Sequence, residues 1–170
     1  MKNLNPTSIR IYTDGSYYPS KSALGSAWIK VAPDNQETRK GYCIKSPENN
    51  NGGSLLAEIM AVSQSLKQLT EDVGASIVTI VTDCKDVELT INQRNFDDKA
   101  KRAKRDIISK AWANLGREVS KHHVEALWRR DSEEPLLREA HHLAQSSAMF
   151  AHTEDKGMIC HEDIEHLTIQ

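Results

Sequence analysis

The sequence is short of the residues that mark secreted or membrane-spanning proteins. Its three cysteines, Cys43, Cys84 and Cys160, are an odd number at wide spacings, which argues against a disulfide framework and favours a reducing environment. No apolar run approaches the ~18 residues that a membrane helix needs, and residues 1–6 lack the apolar segment of a signal peptide. We therefore expect a cytoplasmic protein with no membrane contact.

An excess of charge of one sign is also absent. Lysine and arginine number 22 against 24 acidic residues, a formal net charge of −2. This balance excludes a polycation that coats nucleic acid, although it leaves room for a local basic patch. The 170 residues, 38% apolar and 27% charged, suit one globular domain with a real core. We assign residues 1–150 to that domain and residues 151–170 to a C-terminal tail.

Hydrophobic periodicity predicts an α/β domain built on one mixed, five-stranded sheet. The expected strands are 9–13, 26–31, 38–44, 76–81 and 123–128, and the expected helices begin at Ser54 and cover 85–91, 99–121 and 135–150. The first three strands should form an antiparallel meander, with 14–16 breaking the first of them. The fourth strand should pair in parallel with the first, because a helix connects the meander to it. Residues 92–98 are expected to be a loop.

Three acidic residues stand where such a sheet would bring them together. Asp14 and Asp83 each follow a predicted strand, and Glu58 lies one turn past Ser54, near the apolar side of the first helix. Each acid alone is more often a turn, cap or solvated residue. Two neighbouring carboxylates repel each other, however, and a divalent cation relieves that repulsion. Oxygen ligands of this kind suit Mg²⁺ or Mn²⁺.

The motifs around these acids resemble those of type 1 ribonuclease H. They are Ile11–Ser16 (IYTDGS), Ala57–Ala61 (AEIMA), Val81–Cys84 (VTDC) and His142–Ala144 (HLA). The resemblance covers residues 9–148 and implies a ribonuclease H-like fold. It also implies an endonuclease that cuts the RNA strand of RNA–DNA hybrids and leaves 5′-phosphate and 3′-hydroxyl ends. In this family four acids, ordered Asp, Glu, Asp and Asp, hold two divalent ions.

Carried over to this chain, the resemblance makes Asp14, Glu58 and Asp83 the first three ligands, with Asp14 bridging the two ions from the central strand. The fourth position is His141, which we interpret as a substitute ligand. A neutral imidazole binds Mn²⁺ but is a poorer partner for Mg²⁺. If it is a ligand, activity should fall below pH ~6.5. The alternative is that His141 marks a weakened or inactive site. Glu139 is a fallback that should point to another side of the helix.

Two further positions depart from the family pattern. The loop Arg129–Glu134 carries no catalytic histidine, which lowers the expected rate. The residues before Ala57 are Ser54–Leu56, where the family has asparagines and an arginine that touch the hybrid. Asn50 and Asn51, further upstream, are expected to compensate, so hybrid specificity is more open than the metal chemistry.

Substrate contacts are expected from residues flanking the acids and from basic side chains. Lysines and arginines bind phosphates by charge without reading sequence, although a basic helix end is as often simply solvated. The expected contacts are Gly15, Ser16, Asn50, Asn51, Lys101, Arg102, Arg129 and Arg130. The expected partner is an RNA–DNA hybrid, bound by a monomer. Two alternatives stay open: a nuclease acting on structured or single-stranded DNA, and an inactive nucleic-acid-binding module. The three tryptophans, Trp28, Trp112 and Trp128, are expected in the core.

Overall fold

Five strands form a single mixed sheet in the computed structural model, which describes residues 8–19, 23–45, 53–69 and 77–150. The strands are β1 (Ile9–Tyr18), β2 (Ala23–Val31), β3 (Glu37–Lys45), β4 (Ile77–Thr82) and β5 (His123–Trp128). Their order across the sheet is β3-β2-β1-β4-β5. The β1–β2 and β2–β3 pairs are antiparallel, and the β1–β4 and β4–β5 pairs are parallel. The predicted meander and the predicted parallel neighbour of β1 are both confirmed.

The described helices are α1 (Gly53–Lys67), α2 (Lys85–Gln93), α3 (Phe96–Arg102), α4 (Asp106–Ser120) and α5 (Pro135–Phe150), with a 3₁₀ helix at Asp131–Glu133. In this part of the chain no helix is both long and apolar enough to cross a membrane. The expected tail, residues 151–170, lies outside the described residues.

The prediction of a loop at 92–98 and one long helix at 99–121 is wrong. The chain leaves α2 through Arg94, whose left-handed backbone (φ 57°) ends the helix. It then forms α3, which stops at the extended Ala103 (φ −64°, ψ 126°), before α4 begins. Residues 99–105 contain neither glycine nor proline, so no local signal marks this break. The buried Phe96, at the start of α3, belongs to the main core cluster and fixes the extra helix by tertiary packing.

The prediction that residues 14–16 break the first strand is also wrong. β1 continues through them, because its antiparallel pairing with β2 runs on to Tyr18 and Ala23. The parallel pairing with β4 stops earlier, at Tyr12 and Val81. Asp14 therefore lies past the end of its parallel neighbour while β2 still holds its backbone in place.

The sheet is covered on both faces, and the two coverings fix the helices that carry site residues. Apolar side chains of α1 and α4 pack with Ile11 on one face, and Leu137 and Ala140 of α5 pack with Tyr12 on the other. Helix α5 lies unusually close to β2, since a Cβ at Gly25 would meet the carbonyl oxygen of Ala144 at 1.9 Å. Only glycine allows this approach, which brings the N-terminal half of α5 beside Asp14.

Candidate metal centre

Three carboxylates from three different elements converge at the centre of the sheet. Asp14 comes from β1, Asp83 from the residue after β4, and Glu58 from α1. One oxygen of each lies within 4.8 Å of the others. Asp14 is 2% exposed and Glu58 is 8% exposed, whereas Asp83 is partly exposed. The sequence prediction that these three residues meet is confirmed in position, and they form a cluster able to hold a metal ion.

Close contact between β1 and α1 places Glu58 against Asp14. A Cβ on Gly15 would lie 2.3 Å from the backbone nitrogen of Glu58 and 2.4 Å from the carbonyl carbon of Ala57. The buried hydroxyl of Ser26, the β2 partner of Gly15, donates to the carbonyl of Ala57 at 2.8 Å. Gly15, expected to touch substrate, therefore has a packing role: its missing side chain sets the distance between two acids.

Burial and mutual repulsion raise the proton affinity of two of these acids. The pKa of Glu58 lies well above its usual value, first because the carboxyl is buried and then because Asp14 is adjacent. Burial, followed by repulsion from Asp14 and Asp131, raises the pKa of Asp83 to about 6. Oε2 of Glu58 is buried and has no hydrogen-bond partner among the described residues. A buried carboxylate oxygen without a donor is costly, and either a proton or a bound cation would relieve that cost.

His141 joins the cluster through Asp14. Its Nδ1 lies 2.6 Å from Oδ2 of Asp14, in a hydrogen bond that spans 127 positions of sequence. A carboxylate oxygen without a proton can only accept, so this bond holds the imidazole by Nδ1 and leaves Nε2 as the ring nitrogen that could bind a metal ion. Glu139 points elsewhere, as predicted, because its carboxylate accepts from Arg39 of β3 at 2.8 Å. Of the two candidate fourth ligands on α5, His141 contacts the carboxylate cluster and Glu139 pairs with Arg39 instead.

The donor set fits a hard divalent cation. Three carboxylates within 4.8 Å supply oxygens and negative charge, and the unpartnered oxygen of Glu58 is a free lone-pair donor. Mg²⁺ and Mn²⁺ both accept oxygen ligands, and a neighbouring imidazole favours Mn²⁺. These residues therefore fit a divalent-ion centre of the kind expected from sequence.

The expected substrate contacts lie in three different surroundings. Ser16 is on β1 and pairs with Gly25, two residues past Asp14. Arg129 and Arg130 follow β5, and the Arg129 guanidinium donates to the carbonyl of Trp128 at 2.9 Å. Lys101 and Arg102 are exposed on α3. Asn50 and Asn51 lie outside the described residues.

Sequence reasoning missed one residue at this site. Trp128, expected in the core, is only partly buried. Its indole Nε1–H donates to the carbonyl of Asp83 at 2.9 Å, and the Lys85 ammonium lies 4.2 Å from its ring centroid. The register of β5, in which Trp128 pairs with Thr82, is the signal that places it beside Asp83.

Residues 6–130 match the family model described as RNase H. The chain belongs to the ribonuclease H family. Its Asp14, Glu58 and Asp83 all lie within the matched residues, whereas His141 lies beyond them. No curated protein sequence matches the chain significantly.

Solved structures of two ribonucleases H and of a reverse transcriptase share the fold of this family member at low sequence identity. LC11-RNase H1, isolated from compost by a metagenomic approach, is 14% identical with a TM-score of 0.67, over 85% of this chain and 98% of that one. RNase H1 of Halobacterium salinarum is 16% identical with a TM-score of 0.56, over 82% and 96%. The foamy viral protease-reverse transcriptase, solved with an RNA/DNA hybrid, is 21% identical with a TM-score of 0.61, over 87% of this chain and 21% of that one. These similarities establish a ribonuclease H-like fold.

Proposed function

We propose that this ribonuclease H is an endonuclease that hydrolyses the RNA strand of RNA–DNA hybrids with two divalent cations, Mg²⁺ or Mn²⁺. The observation that carries the proposal is the convergence of Asp14, Glu58 and Asp83 within 4.8 Å. Membership of the ribonuclease H family supports the reaction class. The structure of LC11-RNase H1 with an RNA/DNA hybrid, of similar fold, supports the substrate class.

Asp14, Glu58, Asp83 and His141 are the proposed metal ligands. Two divalent ions held there would activate water and neutralise charge on the scissile phosphodiester. Asp14 is the proposed bridging ligand, because it lies on the central strand and touches both Glu58 and His141. The carboxyls must give up their protons to bind cations, and His141 must stay neutral to lend a nitrogen.

Exposed basic side chains are the proposed phosphate contacts. Arg130 follows the strand that ends beside Asp83, and Lys101 and Arg102 lie on α3. Such contacts hold a nucleic acid by charge and orient it without reading its sequence. In the segment Ser54–Leu56, where the family has asparagines and an arginine that touch the hybrid, the two leucines offer no hydrogen-bond donor from their side chains. We therefore expect weaker discrimination between hybrid and other duplexes than in relatives that keep these asparagines.

The test is a cleavage assay with labelled RNA–DNA hybrid, duplex DNA, single-stranded DNA and duplex RNA, each with Mg²⁺ and with Mn²⁺. Wild type is compared with Asp14→Asn, His141→Asp and the control Asp34→Asn, which changes an exposed turn residue. We expect cutting of the hybrid's RNA strand by wild type and the control, and none by Asp14→Asn. His141→Asp should raise Mg²⁺-dependent cutting, because a fourth carboxylate suits Mg²⁺ better than imidazole.

Other outcomes would overturn the proposal in distinct ways. Cleavage of DNA with no need for a ribose would make the protein a DNA nuclease of the same fold. Hybrid binding without cleavage in either metal would make it a binding module. Loss of all cutting in the His141→Asp variant would show that the imidazole does something other than replace a carboxylate ligand.

A further inference from the structure

Three hydrogen bonds fix the turn that carries Asp83. The hydroxyl of Thr82 accepts from the backbone N–H of Cys84 at 3.0 Å. The carbonyl of Thr82 accepts from the backbone N–H of Arg129 at 2.9 Å, and the carbonyl of Asp83 accepts from the indole of Trp128 at 2.9 Å. Two consecutive carbonyls of this turn are therefore held by Trp128, the last residue of β5, and by Arg129, which follows it.

The bond to the Asp83 carbonyl is the one that no regular element provides. β4 ends at Thr82, and the first carbonyl that α2 uses is that of Cys84, which accepts from Glu88. Asp83 lies between the two elements, so its carbonyl is outside both the strand ladder and the helix. A side-chain donor is needed to fix this peptide, and Trp128 supplies it. The direction of the Asp83 carboxylate depends on that peptide.

The same indole ring also contacts the ammonium group of Lys85, next to the carboxylate cluster. The Lys85 ammonium lies 4.2 Å from the ring centroid, within the range of an attractive cation–π contact. Lys85 is exposed, and in the described part of the chain its ammonium makes no ion pair with a carboxylate. This contrasts with Lys99, whose ammonium pairs with Asp86. A ring face does not use up N–H donors as a carboxylate does, so Lys85 can still bind an anion.

We propose that Trp128 is a positioning residue of the metal centre: its N–H fixes the backbone that carries Asp83, and its ring holds Lys85 where the ammonium binds a substrate phosphate. The second half rests on the proposed nuclease function, whereas the first concerns metal binding alone. Lys85 lies two residues from Asp83, so a phosphate in contact with it is close to the ions. Trp128 thus couples metal geometry to substrate position.

The role of Trp128 in metal binding is tested by titrating the full chain with Mn²⁺, without nucleic acid, by calorimetry. Trp128→Phe keeps a ring for Lys85 but removes the donor to Asp83. We expect about tenfold weaker Mn²⁺ binding, since outer partners of metal ligands typically contribute 10- to 100-fold to affinity. Trp112→Phe, in the core, is the control and should leave the affinity unchanged, and thermal unfolding shows that both variants are folded. Wild-type Mn²⁺ affinity in a folded Trp128→Phe would overturn the positioning role.

The contact between Lys85 and a substrate phosphate is tested by measuring hybrid binding as a function of salt concentration. Lys85→Met should lower the slope of log affinity against log salt by about 0.9, the value for one lost phosphate contact on a duplex, and should not weaken Mn²⁺ binding. Lys110→Met is the control, because that lysine pairs with Asp106 on α4. An unchanged slope in Lys85→Met would overturn the phosphate contact. A wild-type protein that binds Mn²⁺ but cuts no hybrid would refute the proposed function and leave the Trp128→Phe result intact.

Discussion

The candidate metal centre and the helix α3 hold their charges in opposite environments. Asp14 and Glu58 are 2% and 8% exposed and come from elements far apart in sequence. On α3, the side chains of Arg102 and Asp98 are 79% and 51% exposed and pair one turn apart on the same helix. The buried acids therefore need a partner from elsewhere, whereas the surface charges already satisfy each other.

The buried carboxylates are fixed in place, whereas the exposed ion pair can exchange its partners. An exposed ion pair contributes about 0–1 kcal/mol, so Arg102 can leave Asp98 for a phosphate at little cost. A buried carboxylate has no such freedom, and only a cation or a proton relieves it. Under the proposed function, chemistry would be concentrated in a few fixed acids, and substrate binding would be spread over many weak contacts.

The largest effect should follow from removing a buried acid. Asp14→Asn removes the carboxylate that touches both Glu58 and His141. We expect cleavage to fall about a thousandfold or more, because several kcal/mol of charge stabilisation are lost. Single-turnover rates on labelled hybrid measure this. A loss of less than tenfold would mean that removing a buried acid slows cleavage no more than removing surface charges does.

Gly15→Ala should push α1 away from β1 and so move Glu58 away from Asp14. The new Cβ would lie 2.3 Å from the backbone nitrogen of Glu58, and backbone cannot swing aside. Overpacking of this kind costs about 1–3 kcal/mol of unfolding free energy, measured by urea denaturation, and Mn²⁺ affinity should fall with it. Gly41→Ala is the matched control, since its Cβ meets the hydroxyl of Ser147 at 2.5 Å. The next contact of that Cβ is the Leu143 side chain at 3.0 Å. Both neighbours of Gly41 are side chains that can shift, unlike the backbone beside Gly15, so equal losses in the two variants would contradict the argument.

The pH dependence should differ between the two regions. Burial first, and then Asp14, raises the pKa of Asp83 to about 6, so Asp83 takes up a proton as the pH falls through 6. Mn²⁺ affinity should then drop by about tenfold per pH unit for each proton displaced. Metal-independent binding of the hybrid to α3 should stay constant from pH 7 to 5, because lysine and arginine remain charged.

Calorimetry in buffers of different ionisation enthalpy counts the protons released on Mn²⁺ binding. We expect release at pH 6 and less in Asp83→Asn, and no release would contradict the raised pKa. The raised pKa has a second consequence with the opposite sign. The metal-free fold binds more protons than the unfolded chain, so it loses stability as the pH rises from about 4 to about 6. A fall in activity below pH ~6.5 therefore does not by itself identify His141 as a ligand.

The smallest effect should come from α3. The double change of Lys101 and Arg102 to Met should weaken hybrid binding only several-fold at moderate salt and lower the salt slope by at most about 1.8, or 0.9 per contact. Fluorescence anisotropy across a salt series measures both. A loss as large as that of Asp14→Asn would mean that α3 is part of the reaction centre.

Local pattern was enough to predict the strands, their meander and the three acids. Ile9–Tyr12 and Ile77–Val81 alternate or run apolar, so their strands need no distant information, and Asp83 follows directly from the end of β4. The break between α3 and α4 was not predictable, since residues 99–105 favour a helix and only the packing of Phe96 decides otherwise. Trp128 was misassigned to the core for a similar reason: an indole can serve as core filler or as a donor, and only its neighbours distinguish the two.

The sequence by itself determined the mixed sheet and the order in which its acids occur, because periodicity, β-branched runs and short motifs act over a few residues. The tertiary structure alone decided that β1 continues through Asp14, that Gly15 brings Glu58 against it, and that His141 bonds to it across 127 positions. Those contacts depend on two layers packing onto opposite faces of one sheet, and no local pattern encodes the distance between layers.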